Sequence, residues 1–345
     1  MSDVLFLDSG GNRLEEYVYD NYNSAWTQTF IANRHGETGA AIQIFSSSSA
    51  TDPDRMRLLK QFPSRSEVAA GCAFRVTNTN VVRRTVIQIR DAGTLLVSVN
   101  WNTDGTMELR KGDHDAELLY TTPSLIDFNT WGYLALRVIR DGANSYVEFW
   151  VEGLLQFVSS VIDLGVGQID EVAWQARYNS TISTNSRYVA FCDLWISEGA
   201  VYDDLRVVTR RPNAAGALSQ WDPVPAENAN YENVNDVEVD LAKFNRTDVD
   251  GNRDSFGIAD LPVDAERDKV AGVALKGLGA RSDEVAREIA PFVRVGATNF
   301  DGTPTPVFSL TFFEHLWVQN PDTVADWTYG QAEAIEPGYA AELGT

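Results

Sequence analysis

The stretch Asp248-Val249-Asp250-Gly251-Asn252-Arg253-Asp254 sets oxygen-bearing side chains at alternate positions around a glycine. A hard cation collects carboxylate and amide oxygens from one short loop, so calcium is the ion this spacing suits. The expectation is a calcium candidate at Asp248, Asp250, Asn252 and Asp254, and no other cofactor. The distant bidentate glutamate of an EF-hand is missing. Asp/Asn/Gly runs also make plain turns closed by their own side-chain hydrogen bonds, and that reading stands beside the calcium one.

Other chemistry has less to stand on. His35, His114 and His315 are far apart and none forms a metal-ligand pair at helical spacing. There is no Gly-x-Ser-x-Gly turn for a nucleophile and no glycine-rich phosphate loop. Glycoside hydrolysis needs two carboxylates across a sugar. Glu238-Val239-Asp240 comes nearest to an acidic strand, but Leu-Ala-Lys-Phe follows it without a third acid. The expectation is a chain that is not an enzyme. Trp101, Tyr178 and Trp195 are candidate sugar platforms for a lectin, although aromatics at such positions more often pack a core.

The elements that would carry these residues are strands. From about Ala70 to Ser197, short runs rich in Val, Ile, Leu, Phe, Tyr and Trp alternate with turn residues, the pattern of antiparallel sheet. Thr85 to Ile89 and Leu95 to Trp101 flank Arg90-Asp91-Ala92-Gly93, and Trp101 to Leu109 turns back at Asp104-Gly105. Trp131 to Ile139 pairs with Tyr146 to Val151, and Glu152-Gly153 reverses the chain into Leu154 to Val158. In Tyr146–Val151 the even positions share one face and Val147, Phe149 and Val151 the other. Arg187 to Ile196 is a further strand. Pro212 to Asp236 shows little periodicity and reads as an extended surface segment. Lys269 to Leu278, Glu288 to Val295 and Val307 to Phe313 read as strands, with Pro291 marking an edge or bulge. Thr328-Tyr329-Gly330-Gln331 has capping-box spacing, so a short helix opens there and ends before Pro337.

Length favours two domains, expected at 1–203 and 204–345. With 28 basic and 49 acidic residues the formal charge is −21, which repels phosphate backbones and anionic membranes and excludes nucleic acid as a partner. No apolar run reaches membrane-spanning length, and the first residues lack the features of a signal peptide. Cys72 and Cys192 lie in apolar strand-like runs, as buried free thiols do, with a disulfide between them left open.

The run Asn129-Thr130-Trp131-Gly132-Tyr133 through Tyr146-Val147-Glu148-Phe149-Trp150-Val151-Glu152-Gly153 resembles the central hairpin of laminin G-like, concanavalin A-like jelly rolls. A second resemblance covers most of the chain. Phe6-Leu7-Asp8-Ser9, Phe191-Cys192-Asp193-Leu194-Trp195-Ile196, Asp204-Leu205-Arg206-Val207-Val208, Trp221-Asp222-Pro223, Tyr231-Glu232-Asn233, Asp254-Ser255-Phe256, Asp260-Leu261-Pro262, Asn320-Pro321-Asp322-Thr323 and Asp326-Trp327-Thr328 are similar to a family of tailed-bacteriophage structural proteins. That resemblance implies an all-β chain: a concanavalin A-like jelly-roll sandwich, then a smaller β-sandwich domain with a short C-terminal helix. It implies a virion component of the tail, baseplate or fibre region, made in the host cytoplasm and present in several copies or as a homo-oligomer. Its partners would be other virion proteins and host surface glycan, without membrane insertion. Capsid decoration, a head fibre or a free carbohydrate-binding lectin are the alternatives.

Overall fold

The computed structural model describes residues 4–8, 18–19, 26–35, 41–46, 55–77, 83–113, 115–159, 161–178, 187–202, 204–236, 240–262 and 269–344. The chain is all-β with one short α-helix among these residues. It divides into two compact units, Met1–Val207 and Val208–Thr345. No helix is long and apolar enough to cross a membrane.

Unit 1 is a sandwich of two antiparallel sheets. The first runs, edge to edge, Leu154–Val158, Tyr146–Val151, Trp131–Ile139, Glu67–Val76, Arg187–Ser197, Ala41–Ser46 and Trp26–Ile31, with Val4–Asp8 also paired to Arg187–Ser197. The second runs Glu117–Thr121, Met107–Lys111, Thr94–Asn102, Arg83–Asp91, Ile169–Tyr178, Arg55–Arg65 and Val18–Tyr19. The alternation seen in sequence is what the layers use. Val147, Phe149 and Val151 face a core shared with Phe74, Phe191, Val97, Val99, Trp101 and Trp174, while Tyr146 and Trp150 stay half-buried on the outer side. Two tight hairpins have left-handed backbone at both turn residues, Ala92-Gly93 and Glu152-Gly153. That geometry matches the right-handed twist of the paired strands.

Cys72 belongs to the inter-sheet core and Cys192 to a separate cluster with Ala41, Ala73 and Tyr133. Ala73 is the cross-strand partner of Cys192. Neighbouring residues of a strand point to opposite faces, so the two thiols lie on opposite sides of one sheet and both are free.

On the outer side of the first sheet the last residues of unit 1 are fastened down. The Tyr133 hydroxyl accepts from Trp195 Nε1 (2.6 Å) and Leu205 N (3.1 Å) and donates to the Tyr202 carbonyl (3.1 Å). Fully buried Asp193 accepts from Arg34 Nε at 2.7 Å and from Val207 N at 2.8 Å. Burial raises the ionisation of Tyr133 well above the usual phenol range, keeping the hydroxyl available as a donor.

Unit 2 is built on a six-stranded sheet ordered Pro212–Ser219, Arg253–Ile258, Glu336–Leu343, Arg287–Val295 and Thr298–Asp301, with Thr305–Val307 also against Arg287–Val295. A ladder of Val273–Gly279 with Thr311–Trp317 packs on it through Leu275, Phe313, Ile289 and Val307. Pro212–Ser219, inside the stretch expected to be an extended surface segment, is a mostly exposed edge strand and not an unpaired one. Its Gly216 lies against the Ser255 backbone, where an added Cβ would come within 2.5 Å, so this strand is recognisable by smallness and not by apolar alternation. Val307 to Phe313 is not one strand either: the chain leaves one sheet at Val307 and joins another at Thr311.

Pro291 is likewise at neither an edge nor a bulge. Arg287–Val295 has neighbours on both sides. On one side, however, residues 287 to 289 pair with Thr305–Val307 and residues 292 to 295 with Thr298–Asp301, and Pro291 falls in the gap. Its carbonyl accepts from Gly302 N at 2.7 Å, so its own nitrogen faces the same gap, where no N–H is required. Near the end, Thr328 Oγ1 accepts from Gln331 N and Gln331 Oε1 from Thr328 N, closing the capping box of helix Tyr329–Glu333.

Candidate functional site

The second sheet of unit 1 has an unusual outer face. Strand Arg83–Asp91 alternates apolar Ile87 and Ile89 with Thr85, Gln88 and Arg90, and Thr94–Asn102 alternates Val97 and Val99 with Ser98 and Asn100. Register assembles these polar positions side by side. Arg57 lies opposite Gln175 and Gln61 opposite Glu171; Glu171 opposite Arg90; Gln88 opposite Ser98 and Thr85 opposite Asn100; Ser98 opposite Arg110 and Asn100 opposite Glu108. Five strands thereby present one continuous polar surface. Apart from Gln61 and Arg110, all of these side chains are buried.

Most of this surface is internally bonded. Glu171 accepts from Gln61 Nε2 (2.9 Å) and Arg90 Nε (3.2 Å). Arg90 also donates to Gln88 Oε1 (3.0 Å) and to the Gly93 carbonyl. Arg110 donates to Glu108 (2.8 Å) and the Ala116 carbonyl (2.6 Å). Arg90 and Arg110 are thus each matched by a glutamate, Glu171 and Glu108.

Its centre is different. Among the described residues Gln175, only 1% exposed, has no hydrogen-bond partner at either amide atom, and Asn100, 0% exposed, accepts from Thr85 Oγ1 at 2.7 Å while its Nδ2 has none. A buried polar group left unmatched costs about 1–3 kcal/mol. The same place carries two register irregularities, between Trp174 and Arg177 and between Thr85 and Ile87. Bulges re-aim side chains and concentrate beside functional sites.

The sequence-level candidates lie elsewhere. Buried Asp254 turns into unit 2, where it accepts from Gln220 N (2.7 Å), Trp221 N (3.0 Å) and Asn230 Nδ2 (2.5 Å). Burial raises its ionisation, and those bonds oppose the rise. Asp250 accepts from Leu343 N at 2.9 Å, and the Asn252 amide donates to the Gln220 carbonyl and Thr247 Oγ1. Among the described residues no three His, Cys, Asp or Glu side chains gather as a metal ion would require. The structure gives Asp250, Asn252 and Asp254 hydrogen bonds that close turns, and Asp248 is exposed.

Trp101 and Trp195 are buried and donate to the Ile126 carbonyl and to Tyr133 Oη, so neither is a sugar platform. The Tyr178 side chain, His114 and Glu238-Val239 lie outside the described residues. His315 accepts from Thr303 N through Nδ1 at 3.0 Å, and burial lowers its pKa. The polar face itself escaped the sequence reading. Its signal is the period-two runs Ile87-Gln-Ile-Arg90 and Val97-Ser-Val-Asn-Trp101, which do not tell an enclosed polar face from a solvated one.

No family model and no curated protein matches the chain. Among solved structures, the chain is similar to alginate lyase Aly36B (11% identity, TM-score 0.40, covering 61% of this chain and 98% of that one). It is similar also to the cellulose-induced protein Cip1 (13%, 0.40, 55% and 96%) and to the binding domain of Paraclostridial Mosquitocidal Protein 1 (12%, 0.38, 58% and 50%). The fold is a jelly-roll β-sandwich. The expectation that the chain is not an enzyme is corrected by this set, in which several members are alginate lyases.

Proposed function

We propose that unit 1 binds a glycan across the polar outer face of its second sheet, reading hydroxyl groups and not a formal charge. The observation that carries this is Gln175, an enclosed amide with no hydrogen-bond partner among the described residues, set within the register irregularity between Trp174 and Arg177. Amides and hydroxyls from Gln88, Gln175, Asn100, Ser98 and Thr85 are the donors and acceptors that sugar hydroxyls match. The formal charge of −21 carried by the chain disfavours a polyanion.

The centre of the face is shielded from solvent, so a ligand must uncover it to bind. Association slower than about 10⁵ M⁻¹s⁻¹ is the expected kinetic signature. The test is calorimetric titration with neutral and uronate oligosaccharides, with the same mixtures followed for chain cleavage. Gln175→Leu should bind a neutral glycan at least about tenfold more weakly, a loss near 1.4 kcal/mol, while its melting temperature rises because an unmatched buried amide is gone. Equal binding by wild type and Gln175→Leu would remove the proposal.

A second proposal rests on the sequence resemblance: the chain is a virion component of a tailed phage, docked on other virion proteins, with host surface glycan as the ligand of that face. In support, residues that carry the resemblance serve as fasteners, with Asp193 and Trp195 anchoring the end of unit 1 and Asp254 and Asn233 pinning turns of unit 2. Mass spectrometry of purified particles that never finds this chain would sink it.

A further inference from the structure

The first sheet of unit 1 ends at strand Leu154–Val158, whose outer side meets no other strand among the described residues. Its sequence, Leu-Leu-Gln-Phe-Val, carries no charge. Leu154 is 65% exposed, Leu155 51% and Val158 42%. The second sheet ends beside it. Tyr120, from edge strand Glu117–Thr121, stacks on Phe157 with ring centroids 5.2 Å apart, and Leu118 of the same strand is 48% exposed. One flank of the sandwich is thus closed by a stacked aromatic pair and lined outside by four exposed aliphatic side chains.

Edge strands are ordinarily protected by lysine, proline or cover. Leu154–Val158 has neither lysine nor proline, and its one irregularity, a register shift that leaves Gln156 unmatched, does not hide the leucines. The geometry points to a second copy of this chain as the cover, the two flanks meeting across a two-fold axis so that Leu118, Leu154, Leu155 and Val158 of each copy face their equivalents.

Charge decides where such a contact can form. Two copies of formal charge −21 repel over most of their surfaces, and repulsion is least where the facing strand is uncharged. A basic partner would gain nothing from such a strip. A glycan would find no cluster of hydrogen-bonding side chains on it. A two-fold contact needs only that the patch complement itself, which an aliphatic strip does.

Sedimentation of the full chain over a concentration series tests this. Wild type is expected to reach twice its 38.2 kDa mass, with Leu155→Lys and Leu118→Lys each weakening the dimer at least about tenfold while keeping the wild-type circular dichroism spectrum. A wild type that stays monomeric, a different stoichiometry, or both variants still dimerising like wild type would overturn the proposal. Hydrogen exchange on unmodified protein gives an independent reading. Protection of residues 154 to 158 and 117 to 121 should rise with concentration, and exchange there that ignores concentration counts equally against the contact. Neither measurement involves glycan, so its outcome is separate from that of the binding proposal.

Discussion

Asp193 and Gln175 are both buried polar residues of unit 1, and their surroundings set them apart. Asp193 has Arg34 and Val207 N as partners, and Arg34 itself lies over the Tyr133 ring at 4.9 Å. Removing one member of such a buried pair strands the other, so Asp193→Ala should cost about 3 kcal/mol, read as a lowered midpoint in urea unfolding. Gln175 has no such partners among the described residues, and its replacement by leucine should stabilise by about 1 kcal/mol. A side chain whose loss improves the fold is one whose reason lies outside the fold. His315 offers a third case. Burial lowers its folded pKa below the ordinary 6.5, so the unfolded chain takes up a proton first as pH falls. Stability contributed at this site is complete above about pH 6.5 and declines below it until the folded pKa is passed. Comparing the pH dependence of the melting temperature between wild type and His315→Gln isolates that slope, and parallel curves would contradict it.

Strands were legible where local chemistry decides them. Trp131–Ile139, Tyr146–Val151 and Leu154–Val158 have the bounds expected, because turn residues with left-handed backbone fix both the reversal and the alternation. Pro291 was misread because its acceptability depends on partners distant in sequence: the gap between Thr305–Val307 and Thr298–Asp301 makes its missing donor harmless. One residue earlier the backbone faces Glu336–Leu343, so Ala290→Pro should remove a ladder bond in the middle of the sheet and cost about 3 kcal/mol or more, measured by loss of the cooperative unfolding transition. The candidate site was illegible for the same reason on a larger scale. Thr85, Asn100, Glu108 and Gln175 meet only through ladder register, and alternation within one strand does not reveal what four others place beside it. The loop at Asp248 to Asp254 showed the opposite failure. Its local pattern suits an ion, yet the turn at Gln220-Trp221 had a prior claim on the Asp254 carboxylate.

At the scale of the whole molecule, the excess of 49 acidic over 28 basic residues sets the sign of any salt effect. Raising ionic strength from about 0.01 M to 0.15 M shortens the screening length from about 30 Å to about 8 Å, which weakens repulsion between like-charged copies but leaves apolar burial nearly unchanged. A contact through Leu118, Leu154, Leu155 and Val158 should therefore tighten with salt, whereas one held by ion pairs would loosen. Glycan binding through hydroxyls should show little salt dependence over the same range, because the arginines Arg90 and Arg110 already have glutamate partners. Sedimentation and calorimetry repeated at the two salt concentrations separate these cases. A dimer that dissociates as salt is added would show that charge, and not the aliphatic flank, holds the copies together.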